Sequence, residues 1–280
     1  MAAENGADNG VGPSHRQGEN RFGREQRGEV DRVKRAIVSD IHGNLEAWTA
    51  VLEDIKRQGC DQIYCLGDVV GYGPDPCVCL DAIMLADVCI LGNHDFGALL
   101  DPEGFGGTAE QAIFWTRQQL ETTGSSEEIR RRMGFLARLP RTHVEGGHCF
   151  VHGSIRNPLN EYVFPEDAHE QRKMEKLFSM IQEVCFMGHT HVPGVFTEDF
   201  TFIPEDECSA GFLLGNGKSM INVGSVGQPR DGDWRSCYAI VEGRRVTFRR
   251  IEYDVDQTMK KILAVPLLGS FLAERLKTGR

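Results

Sequence analysis

Short apolar runs alternate with stretches whose apolar residues recur every three or four positions. Ala36-Ile37-Val38-Ser39 predicts a buried strand ending at Asp40. Leu45, Trp48, Val51, Leu52 and Ile55 follow helical spacing, and Gly59 closes that helix. Residues 62–66 predict a second strand, and 76–86 a helix after the Gly-Pro-rich turn at 71–74. Val88-Cys89-Ile90-Leu91 predicts a third strand. Strand, helix, strand, helix, strand is an α/β pattern.

Thr108-x-x-Gln111 and Ser125-x-x-Glu128 fit the capping box and predict helix starts near 109 and 126. Strands follow at 142–145 and 148–152, a helix at 166–180 and a strand at 184–187. From 195 onward the chain is strand-rich, with runs at 195–196, 201–203, 220–223, 238–241 and 246–248. A last helix is expected after Pro266, with Leu268, Phe271, Leu272 and Leu276 on one side. No repeat or linker interrupts the pattern, so 35–280 reads as one domain. Residues 1–34 are rich in Gly, Asn, Glu and Arg with scattered apolar positions. Such a segment cannot bury enough surface to offset its ordering entropy, and a disordered tail is expected there.

Composition narrows the function. With 31 basic and 41 acidic residues the chain carries a formal charge of −10, which disfavours nucleic acid as a partner. No apolar run reaches the roughly 18–20 residues of a membrane span, and no apolar leader stands at the start. The nine Cys show neither CxxC spacing nor a second pair to complete a zinc knuckle. They read as reduced thiols in a cytoplasmic protein.

The chemistry-bearing residues sit at predicted strand ends. Asp40-x-His42 follows the first strand, Gly67-Asp68 the second and Gly92-Asn93-His94-Asp95 the third. His152 ends the strand 148–152, and Gly188-His189-Thr190-His191 ends 184–187. A lone His is ordinarily a surface or core residue. Five of the nine His at strand ends beside carboxylates form a pattern, because α/β sites lie outside the carboxyl ends of strands. Carboxylate, amide and imidazole donors together suit Mn2+, Fe or Zn2+; Ni2+ or Mg2+ are compatible. The donor count exceeds one tetrahedral site and suggests two ions, about 3.5–4 Å apart, clamping a phosphoryl oxygen.

These motifs, in this order, resemble the calcineurin-like metallophosphoesterase superfamily over residues 36–252. The resemblance implies a two-sheet sandwich flanked by helices. It also implies that Asp40, His42 and His191 hold one metal, that Asn93, His152 and His189 hold the second, and that Asp68 bridges them. It gives His94 the role of stabilising the transition state or protonating the leaving oxygen, with Asp95 orienting its ring and metal-bound hydroxide as nucleophile. Val69-Val70-Gly71-Tyr72-Gly73-Pro74 lacks the Asp-Arg-Gly of the protein serine/threonine phosphatases and bacterial diadenosine tetraphosphatases. The chain is therefore closer to the YfcE-like phosphodiesterases, and the expected substrate is a small phosphate ester, nucleotide-derived or not. Arg156 and Arg230 are candidates to hold a phosphate by two hydrogen bonds, or else surface residues paired with a neighbouring carboxylate. Tyr72 reads as a base-stacking ring or a half-buried loop residue. A non-catalytic scaffold and a nuclease acting with a partner are the alternative functions, and a homo-oligomer stays open.

Overall fold

The computed structural model describes residues 33–280, apart from 101 and 103. The tail expected over 1–34 lies outside the described residues up to 32, and Lys34 already opens the first strand. One six-stranded sheet has the order β3 (Val88–Cys89), β2 (Gln62–Cys65), β1 (Lys34–Val38), β11 (Ser236–Glu242), β12 (Arg245–Ile251) and β9 (Phe212–Leu213). The other runs β4 (Thr142–Glu145), β5 (His148–Val151), β6 (Val184–Met187), β10 (Ser219–Asn222), β7 (Gly194–Thr197) and β8 (Phe202–Pro204). β1, β2 and β3 are parallel to one another, as are β5 and β6.

The two-residue period of a strand sorts side chains between layers. Ile37, Tyr64, Leu66, Phe150, Phe186, Ile221 and Ala239 face the space between the sheets and form one core. Phe150 and Phe186 stack there at 5.2 Å. Their chain neighbours Ala36, Val38, Cys65 and Tyr238 turn outward to α1 (Leu45–Gln58), α2 (Pro76–Ile83) and α5 (Ser126–Leu136). On the second sheet, Cys149, Val151, Cys185 and Met220 pack against α6 (Gln171–Met180). The fold is thus the mixed α/β, two-sheet sandwich flanked by helices. Asp54, buried on α1, ties that layer to the sheet: it accepts from the Tyr238 hydroxyl at 2.7 Å and twice from Arg249 at 3.0 Å.

Several local expectations are corrected. The Ser125–Glu128 capping box forms, but α4 (Gly107–Thr122) starts before Thr108, with Gly106 as a cap lacking a side-chain bond. The helix expected over 166–180 divides into a 3-10 turn, Pro165–His169, and α6, because Glu170 adopts non-helical angles. α3 (Asn93–Leu99) and α7 (Val255–Leu263) had no counterpart in the sequence reading. In α8 (Gly269–Thr278), Leu272 and Leu276 are buried, but Phe271 lies off that face, 60% exposed beneath Arg275.

Candidate metal centre

The carboxyl ends of β1, β2, β3, β5 and β6 meet along one seam between the sheets. Five of the seven expected ligand positions have left-handed backbone: Asp40 (φ 56°), His42 (50°), Asp68 (52°), His189 (66°) and His191 (61°). Tyr72 joins them at 57°. Each such non-glycine residue costs on the order of 1–2 kcal/mol, and strain of this kind persists only where surroundings over-determine it. Here main-chain bonds lace the loops together: Asp40 N–H donates to Gly67 O at 3.0 Å, His42 N–H to Asp68 O at 2.9 Å, and Gly227 N–H to Asp40 O at 2.9 Å. Two glycines make the close approach possible. A Cβ on Gly92 would land on the amide and carboxylate of Asp68, and one on Gly188 on the side chains of Ser39 and Asp40.

The converging side chains are buried and form two clusters around one carboxylate. In the first, His191 Nε2 lies 3.1 Å from Asp40 Oδ1 and 3.2 Å from His42 Nε2. In the second, His152 Nε2 lies 2.9 Å from Asn93 Oδ1 and 3.0 Å from His189 Nδ1. Asp68 Oδ2 reaches both, 3.3 Å from His152 Nε2 and 3.7 Å from His42 Nε2. Asp40 with His42 and His191, and Asp68 with His152 and His189, are groups compact enough to hold an ion.

The tautomers show that these donors fit cations. The Nδ1 atoms of His42, His152 and His191 face the carbonyls of Val70, Leu66 and Gln228 at 3.2, 3.0 and 2.5 Å, so each carries its proton there. The Nε2 atoms then point at one another and at carboxylate oxygens, an unfavourable arrangement unless positive charge, from a metal ion or a proton, sits between them. Asp40 Oδ1 and His189 Nε2 are buried without a hydrogen-bond partner. Burial, then the neighbouring His94, hold His42 below the ordinary imidazole range; burial, then His152, take His189 down to about 3. Burial also works against a charge on His152, yet the Asp68 carboxylate outweighs it and holds that imidazole at about 9. Burial raises Asp40 and Asp68, but the imidazoles beside them prevail and keep both carboxyls below their usual value.

His94 stands over this centre. Its amide donates to Asp68 Oδ1 at 2.8 Å, and its ring packs against Tyr72 at 4.3 Å, His42 at 4.8 Å and Phe105 at 4.9 Å. Its Nδ1 is buried without a partner, and burial takes the ring down to about 4. The Asp95 carboxylate is engaged elsewhere: it accepts the Val70 and Gly92 amides, both at 3.1 Å, and joins the turn after Asp68 to the start of α3. Burial, with Asp68 nearby, raises it to about 7.

The two arginines part company. Arg156 pairs with Glu161, Nε to Oε2 at 3.0 Å, and braces its own loop. Arg230 donates to Gln228 Oε1 at 2.8 Å, lies 5.8 Å over the Tyr72 ring and adds to the downward shift of His94 and His191. It therefore faces the centre. Tyr72 is a half-buried loop residue, packed on both His42 and His94. Sequence reasoning missed Tyr162, whose ring stacks on His189 at 3.8 Å. The available signal was the aromatic pair Tyr162-x-Phe164 in the loop that follows His152.

Comparison with known proteins agrees with this geometry. An uncharacterized protein of Methanocaldococcus jannaschii, MJ0912, is 34% identical over 255 residues, 88% of this chain and 98% of the relative. The crystal structure of a metallophosphoesterase from Sphaerobacter thermophilus is 35% identical, with a TM-score of 0.75 over 89% of this chain and 100% of that one. A hypothetical protein of Pyrococcus horikoshii, PH1004, shares the fold with a TM-score of 0.69 at 20% identity, over 89% and 99% of the two chains. Residues 33–245 match the calcineurin-like phosphoesterase superfamily domain, and the chain belongs to that superfamily.

Proposed function

We propose that this protein is a two-metal phosphoesterase that hydrolyses small phosphate esters, with diesters preferred. The observation that carries the reading is the set of facing Nε2 atoms around Asp68, those of His42, His152 and His191 each aimed by an Nδ1 bond to a carbonyl. Asp40, His42 and His191 would hold one ion, Asn93, His152 and His189 the other, and Asp68 both. Mn2+, Fe or Zn2+ suit these donors best. When bound, the ions supply an activated water and neutralise charge on the phosphoryl group.

The chain's own residues do the rest. His94 is neutral at pH 7 in this setting, so its one N–H is available to donate to a phosphoryl or leaving oxygen. Tyr72 and Phe105 hold its ring in place. Asp95 fixes the two loops that present Asp68 and His94. Arg230 would hold a non-reacting phosphoryl oxygen. No helix among the described residues is long and apolar enough to cross a membrane. All nine cysteines are free thiols, which supports a cytoplasmic setting.

The test is hydrolysis of bis(p-nitrophenyl) phosphate by metal-reconstituted protein, with metal content measured in parallel. Mn2+ should stimulate turnover, and Asp68→Ala and His94→Ala should abolish it. Absence of turnover with Mn2+, Fe2+, Zn2+, Ni2+ and Mg2+ alike would overturn the reading.

A further inference from the structure

Two aromatic side chains at the edge of the metal centre are held out to solvent. Tyr162 is 41% exposed and Phe164 44% exposed. Their rings stack on each other, 5.2 Å apart at 8°, and the Tyr162 ring stacks on His189, 3.8 Å apart at 18°. His189, Tyr162 and Phe164 thus form a flight of three near-parallel rings, one end in the ligand cluster and the other in water. Singly exposed aromatic residues are ordinary, but a parallel pair continuous with a ligand cluster is not.

The loop that carries them is built to present them. Ser154 Oγ and the Arg156 guanidinium both donate to Glu161, immediately before Tyr162. Lys173 Nζ donates to the Tyr162 carbonyl at 2.8 Å, and the Phe164 amide donates to Asp167 at 2.7 Å. The backbone is therefore pinned on both sides of each ring. Arg230 lies 5.8 Å over the Tyr72 ring, and its charge opposes the upward push of burial on both the Tyr72 and Tyr162 phenols. An anion drawn to Arg230 and the metal residues would have flat apolar faces beside it. Such faces favour an offset-stacked planar ring over an alkyl chain.

We propose that Tyr162 and Phe164 are a stacking platform for the base of a nucleoside phosphate ester whose phosphoryl group lies at the metal residues. This deepens the phosphoesterase reading and rests on it. The test is calorimetric titration of the Mn2+-loaded protein with adenosine 5′-monophosphate and with ribose 5-phosphate, which has the same phosphate and no base. Wild-type protein should bind the nucleotide about tenfold more tightly. Phe164→Leu, with metal content unchanged, should bring the two ligands within about twofold, and Tyr162→Leu should also remove the preference. Phe164 does not touch the ligand cluster through its own ring, so its variant isolates the platform from metal binding. Equal affinities in the wild type, no binding of either ligand, or a preference that survives both substitutions would overturn the proposal. So would a concentration-dependent dimer lost on Phe164→Leu without any nucleotide preference, since the rings would then cover a second copy. Turnover of glycerophosphoethanolamine, which has no ring, keeps the two readings apart. Its hydrolysis without a nucleotide preference sinks the platform alone, whereas failure to cleave any ester sinks the phosphoesterase reading.

Discussion

Asp68→Asn should leave the metal-free fold intact and remove most of the stabilisation that divalent ions bring. Asp68 Oδ1 accepts the His94 amide at 2.8 Å, and Oδ2 lies 3.3 Å from His152 Nε2. An asparagine keeps an oxygen for the amide and can turn its NH2 toward His152, whose Nδ1 already donates to Leu66 O. A buried carboxylate–imidazolium pair becomes a neutral hydrogen bond, a change of about 1–2 kcal/mol. The loaded protein differs. Free Mn2+ at one hundred times its dissociation constant stabilises a one-site protein by about 2.7 kcal/mol. In a chain of this size that raises Tm by about 5–11 °C relative to EDTA, and roughly twice that for two ions. Asp68 Oδ2 faces both clusters, so its neutral replacement should reduce the rise to about 3 °C or less. Differential scanning calorimetry with EDTA and with MnCl2 reads both numbers. A full Mn2+ response in the variant would refute the shared-carboxylate argument. A metal-free Tm lower than wild type by more than about 10 °C would show the carboxylate to be structural.

Without metal, stability should fall from about pH 7 to pH 9, above the range in which the depressed His42, His94, His189 and His191 gain their contribution. His152, at about 9 folded against 6.5 unfolded, contributes fully below pH 6.5 and loses that contribution as pH rises through 9. Asp95, raised from 3.8 to about 7, prefers its protonated form in the fold and has lost most of its contribution by pH 7, so the fall above that pH belongs to His152. Urea midpoints should show this slope in EDTA and a flatter one with Mn2+, whose charge replaces the His152 proton; a flat profile in EDTA would count against it. Arg230→Ala should raise KM for a phosphate ester about tenfold or more, as befits a lost charge-assisted hydrogen bond, while Arg156→Ala stays within about twofold because Glu161 engages that guanidinium. Equal effects in steady-state kinetics would be the adverse result. Asp54→Ala should cost about 3–5 kcal/mol in urea unfolding, since it leaves Arg249 and the Tyr238 hydroxyl unpaired, with turnover per folded molecule unchanged.

Much of the fold was legible because buried strands advertise themselves as short apolar runs. The 184–187 strand and the Gly59 helix end fall where the pattern puts them. The meeting of the strand ends was legible too, since five runs each ended on an Asp, His or Asn. What escaped is tertiary. Nothing local says that Asp40, His42, Asp68, His189 and His191 take left-handed backbone, because that conformation is imposed by loops from other strands. Asp95 looks like a partner for the adjacent His94 ring, yet its oxygens meet two amides that the folded turn brings to it. Arg156 and Arg230 are alike in sequence context, and only loop closure onto Glu161 separates them. Tyr162 stacks on His189 because β5 and β6 are neighbours, a fact the spacing of the two residues does not contain.

The strand order carries a consequence for synthesis. β1 lies between β2 and β11, so Lys34 waits for Glu242 before its outer edge is paired. A growing chain can close the β1–β2–β3 unit early, but it then presents β1 as an open edge while more than half of the protein is still to come. At that stage it already displays Asp40, His42, Asp68 and Asn93, and it lacks the imidazoles of His152, His189 and His191. On the proposed two-metal reading, a nascent chain is then a half-built chelator, able to catch an ion in the wrong company. Correct metal loading belongs to the end of folding, when both sheets have met along their seam.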